Sequence, residues 1–125
     1  LGALVERADV QAWLMIEQTV AALLQAYDAV LVQRQLLEVW EEAVSASEAR
    51  LAWTNDRRDF GAATEFDALQ VENALLADRL SRAQQGAALA AALRTLNRLM
   101  GADLATEWTL ISNLVVPEAI DFMAL

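Results

Sequence analysis

Between residues 4 and 58 the apolar positions recur at spacings of three and four: Trp13, Ile16, Val20, Leu23, Tyr27, Val30, Leu37, Val44 and Leu51. Only Arg34 and Glu41 interrupt the series, so this spacing predicts one continuous helix with an apolar seam. At 1.5 Å per residue, roughly 55 residues make a rod about 80 Å long. Leu14, Leu24, Leu31, Leu36, Val39, Trp40 and Ala43 lie off that seam and trace a second stripe. A helix with two stripes needs two neighbours.

The next residues read as a helix stop followed by a helix start. Gly61 suits the left-handed closing position, with Arg57 and Arg58 beside the negative end of the dipole. Thr64 is an N-cap, and Asp67 stands where a capping box places its acid. Glu65 and Asp67 also suit the positive end of the new helix. A tip over 59–64 therefore leads into a second helix over 65–100, with Phe66, Leu69, Leu76, Leu80, Ala83, Ala87, Ala90 and Leu93 on one side and Leu96 and Met100 continuing it. The small residues from Ala83 to Ala92 imply a close helix approach at Gly86, and Gly101 ends the helix. Beyond it, Thr106–Ile111 is β-prone, Ser112-Asn113 forms a turn, and Pro117 opens a short helix. The fold class is all-α: a long antiparallel coiled-coil hairpin over 1–100 and an irregular, partly helical connector over 101–125.

Composition sharpens this picture. Ala (26) and Leu (21) dominate the 125 residues, against 4 Gly and 1 Pro, which favours long helices. There is no His, Cys or Lys, so imidazole and thiolate metal sites, Ser-His and Cys-His nucleophiles, disulfides and Schiff bases are excluded. Carboxylates, hydroxyls and arginine alone leave glycosidase or Mg²⁺/Ca²⁺ chemistry as a remote possibility. Glu38, Glu41, Glu42 and Glu48 read as a solvated acidic face, because a di-metal bundle expects histidines. Ser45 and Ser47, without a base, read as helix-surface serines. No catalytic, cofactor-binding or metal-ligating residue is expected.

The nine arginines are scattered and the net charge is −9, which opposes nucleic acid and anionic lipid surfaces. Membrane spanning is disfavoured by Glu17, Gln18, Gln25 and Asp28. Trp13 is assigned to the seam, Trp40 and Trp53 to a neighbouring helix, and Trp108 to packing or an edge position near lipid. No signal peptide is visible, and the apolar ends read as those of a piece of a longer protein.

The series Arg57-x-x-x-Gly61-x-x-Thr64-x-x-Asp67-x-Leu69-x-x-Glu72 resembles the hairpin-tip motif of the TolC-like outer membrane factors, the trimeric channel-tunnels of bacterial efflux pumps and type I secretion systems. Arg58 stands where that family usually has an aromatic residue, and Val71 where it has Ala. The resemblance extends through the Ala-rich second helix to its ending, Leu96-Asn97-Arg98-Leu99-Met100-Gly101. It implies one helical hairpin of a trimeric α-barrel, with 101–125 as equatorial connector. It further implies a passive conduit at the periplasm and outer membrane of a Gram-negative bacterium, partnered by a periplasmic adaptor and an inner-membrane transporter. Arg57, Arg58, Gly61, Thr64, Asp67 and Leu69 then lie at the entrance, where tips gate the tunnel and meet the adaptor. A periplasmic adaptor hairpin or a generic coiled-coil scaffold is the competing reading.

Overall fold

The computed structural model describes residues 1–110. The turn at Ser112-Asn113 and the helix after Pro117 lie outside the described residues. Two helices pack antiparallel: α1, Gly2–Asp59, and α2, Glu65–Met100. The absence of glycine and proline between Gly2 and Gly61 leaves nothing to break α1 across its 58 residues.

The seam that joins the helices has the predicted period, with a phase that differs at alternate steps. On α1 the less exposed residues include Leu23, Ala26, Val30, Gln33, Leu37, Trp40, Val44, Ser47, Leu51 and Thr54. Those steps alternate three and four, the 3.5-residue repeat of a coiled coil. Leu23, Val30, Leu37, Val44 and Leu51 belong to it as expected. At the steps between them, Ala26, Gln33, Trp40 and Ser47 occupy the seam in preference to the neighbouring Arg34 and Glu41. Trp40 is thus half-buried on the seam itself.

On α2 the correction is larger. Ala68, Val71, Leu75, Asp78, Gln85, Leu89, Ala92 and Leu96 turn inward. Phe66, Leu69, Leu76 and Leu80, assigned to the packed side by their spacing, are exposed. Large apolar side chains outnumber what one partner helix can cover, and small or polar residues take the contact instead.

Polar rungs fix the register. Ser47 donates to Asp78 Oδ2, so Ser47 is an interhelical residue rather than a surface serine. Arg79 Nη2 meets Glu48 Oε1 at 2.7 Å and Arg82 Nη2 meets Glu41 Oε1 at 3.5 Å. Gln85 Nε2 donates to both the carbonyl and the Oε1 of Gln33, at 3.1 and 2.5 Å. The Thr54 hydroxyl, buried in the same seam, returns its proton to the Arg50 carbonyl at 2.9 Å.

Gly86 does not mark a close approach. A Cβ built there meets nothing within 4 Å, so the hairpin itself has room for a side chain. Trp13, expected on the packed seam, is 69% exposed. The reason is length: from Leu1 to Ala21 every residue is exposed, because α1 runs on past the end of α2. By length and composition α1 is apolar enough to cross a membrane, with an 18-residue window of mean hydropathy 1.2. A helix covered by protein neighbours has the same composition.

The apolar core sits at the open end of the hairpin, opposite the turn. Ala26, Val30 and Leu96 are its buried centre, with Leu23, Tyr27, Leu89, Ala92, Leu93 and Leu110 packed around it. After Gly101, whose φ of 67° redirects the chain, residues 102–110 return across this end. No strand forms among the described residues of the β-prone stretch.

Candidate functional site

The tip is built by two complementary helix ends. At the end of α1 the Ala62 N–H donates to the Arg57 carbonyl at 2.7 Å and the Gly61 N–H to the Arg58 carbonyl at 2.8 Å. With Gly61 at φ 72°, this is a Schellman closure, which needs a residue free of Cβ strain in the left-handed region. At the start of α2 the Asp67 N–H donates to Thr64 Oγ1 at 3.1 Å, and Asp67 Oδ2 accepts from the Thr64 N–H at 2.8 Å. The Thr64 hydroxyl donates to the same oxygen at 2.7 Å. The capping box is complete with aspartate as its acid.

These bonds set the charge state of Asp67. Its carboxyl is held below the usual aspartate value, first by the Thr64 hydroxyl and then by the Thr64 N–H. Slight desolvation opposes them, and the positive charge of Arg57 adds a smaller lowering effect. The group is fully solvated, so the shift reports hydrogen bonding to the ionised form rather than burial.

The two arginines have different tasks. Arg57 is bound to the turn itself, with Nη2 donating to the Ala62 carbonyl at 3.0 Å and its guanidinium over the Trp53 ring. Arg58 bridges the two helix ends through Glu65, at 3.2 Å, and lies 3.8 Å from Asp59. Both of the Arg58 pairs are largely solvated, hence weak and readily exchanged for a partner's carboxylate. Leu69 faces outward, as do Phe60 and Phe66, so the tip presents apolar side chains around an ordered polar turn. Between Trp53, Thr54, Arg57, Ala62, Ala63, Asp67, Gln70 and Val71 lies an open recess of about 390 Å³.

All six expected tip residues converge on this one end, and Gly101 closes α2 in the same Schellman geometry, with Gly101 and Ala102 N–H groups donating to Arg98 and Asn97 carbonyls. Reading the sequence missed Trp53, although its four-residue offset from Arg57 is the signal that places one above the other on a helix. It also missed the carbonyl of Ala62, which no side-chain pattern reveals.

Trp108, at the opposite end, donates its indole N–H to Asn97 Oδ1 at 2.6 Å and is 42% exposed. Among the described residues no group of three acids is placed to hold a metal ion. The tip offers hydrogen-bond donors, solvated ion pairs and apolar edges. No family model, curated protein or solved structure matches this chain.

Proposed function

We propose that this hairpin is a wall element of a TolC-like outer membrane channel-tunnel, a homotrimeric passive conduit for efflux or type I secretion. In this reading the tip faces a periplasmic adaptor and, through it, an inner-membrane transporter. The reading rests on the resemblance of the tip motif and on one structural observation: each helix carries a second apolar seam that the hairpin leaves uncovered.

On α1 the exposed members are Val32, Leu36, Val39, Ala46 and Trp53, with Ala43 half-covered and Arg50 interrupting; on α2 they are Phe66, Leu69, Leu76, Leu80, Ala83 and Ala87, with Ala90 half-covered and Asn73 interrupting. Both follow the three–four rhythm of helix-on-helix packing. Their sizes are complementary. The rungs Gln33–Gln85, Glu41–Arg82 and Ser47–Asp78 put Leu36 and Val39 level with Ala83 and Ala87. The same rungs put Ala43 and Ala46 level with Leu76 and Leu80. An α1 laid beside the α2 of a neighbouring hairpin at equal height therefore sets large side chains against small ones from Leu36 to Ala46, the arrangement that interdigitates, while nearer the tip Trp53 meets Leu69.

The test is made in a Gram-negative host on the full-length parent. Cysteine is absent from this sequence, so Val39→Cys and Ala83→Cys place thiols on the two outer seams without competition from the hairpin's own residues. In the outer-membrane fraction both thiols are expected to resist a membrane-impermeant maleimide until the protein is unfolded, because neighbouring hairpins cover them, and deletion of the gene is expected to sensitise cells to toxic dyes. Recovery with the inner membrane would assign the hairpin to an adaptor. Free labelling of both thiols in the folded protein, without sensitisation on deletion, would overturn the conduit reading.

A further inference from the structure

Asn97 is a polar residue with no exposed surface at all, in the apolar end of the hairpin. Its amide is fully used, and every partner belongs to the segment after α2. Oδ1 accepts from the Trp108 indole at 2.6 Å, and Nδ2 donates to the carbonyls of Thr106 and Leu104 at 2.9 and 3.3 Å. Its own carbonyl accepts the Ala102 N–H at 2.9 Å, closing the turn at Gly101.

The partners at 104 and 106 flank a tight turn, in which the Thr106 N–H donates to the Asp103 carbonyl and the Ala105 N–H to Asp103 Oδ1, both at 3.0 Å. The Asn97 amide thus clamps this turn and the Trp108 indole beyond it to the end of α2. The segment also joins the two helices, because Leu110 packs against Ala26 and Val30 of α1 and Leu96 of α2.

We infer that Asn97 is a latch: it holds residues 102–110 as a strap across the open end of the hairpin, and the strap releases as a unit, about Gly101, without unfolding the helices. The chemistry is specific to asparagine, whose one acceptor and two amide hydrogens match one indole N–H and two carbonyls. Leucine in its place fills similar volume yet leaves all three partners without a bond. Release as a unit follows from the attachment. Most of the strap is exposed, and the interhelical rungs from Gln33 to Asp78 make no use of it. Segments held by few buried contacts open locally at less cost than the whole fold.

Hydrogen exchange read by mass spectrometry on the 125-residue chain tests this. In Asn97→Leu the amides of Ala105 and Thr106, which donate to Asp103, are expected to exchange roughly ten- to a hundredfold faster, while those of 75–93 keep their rates. Trp108→Phe, which removes one of the three side-chain bonds, is expected to accelerate the same amides by a smaller factor. Unchanged strap exchange in Asn97→Leu would show that the amide does not hold the segment. Equal acceleration in strap and helices would show that the strap has no release of its own, and either result overturns the latch.

Discussion

The guanidinium of Arg57 stands 4.7 Å from the centroid of the Trp53 ring, one turn back along α1, and its Nη2 reaches forward to the Ala62 carbonyl. One side chain thereby ties the last turn of the helix to the residue beyond the glycine. Arg57→Ala is expected to destabilise the hairpin by about 1 kcal/mol, read by urea unfolding followed by circular dichroism. Arg57→Lys keeps the charge but not the planar stacking group, and is expected to recover only part of the loss. Full recovery would assign the effect to charge alone.

Asp67 makes tip stability depend on acid pH. Its folded-state pKa is lowered, so the ionised form is favoured in the folded chain. The stabilisation is complete above the ordinary aspartate value of 3.8 and is lost as pH falls from there through the lower folded value. Thermal unfolding of the parent sequence and Asp67→Asn, compared from neutral pH downward, should show a difference that is constant above the ordinary aspartate range and shrinks below it. A difference independent of pH would mean that the carboxylate charge has no part in the cap.

Gly61 and Gly86 should respond in opposite directions. Neither has an atom within 4 Å of a built Cβ, yet Gly61 has φ 72° while Gly86 lies within α2. Gly61→Val is expected to cost on the order of 1 kcal/mol or more through backbone strain alone. Gly86→Ala is expected to stabilise the isolated chain by about 1 kcal/mol. Differential scanning calorimetry of the two variants checks both signs.

The outer seams predict self-association. Leu76 is exposed, so Leu76→Glu should leave hairpin stability within about 0.5 kcal/mol while shifting the chain toward monomer in sedimentation. A parent sequence that is already monomeric at the same concentration would mean that copies do not cover these faces.

The helix ends were legible because capping is local chemistry. Thr64, Asp67, Gly61 and Gly101 act within a few residues of themselves, and their spacing carries the whole signal. Seam phase was legible only in part. Val30 and Val44 are apolar with a single plausible role, whereas Ala26 and Tyr27 are both apolar, and the larger residue looked like the better core choice. On α2 the heavy stripe from Phe66 to Leu80 drew the assignment, while Ala68 and Asp78 went inward. Hydrophobicity measures how much a position gains from cover and is silent on which of two covers it receives. Asn97 is legible as part of the helix-ending series but its bonding is not, for a related reason: its three partners lie seven to eleven residues downstream, beyond any helical offset.

The uneven length of the two helices has a mechanical consequence. About 20 residues of α1, or roughly 30 Å, continue beyond the level at which α2 ends at Gly101. Chain ends and hinges are where a helical structure yields, and here the joint after α2 lies beside an unbroken stretch of α1. The joint at Gly101 therefore lies level with an uninterrupted run of α1, whose backbone hydrogen bonds continue past it where those of α2 stop.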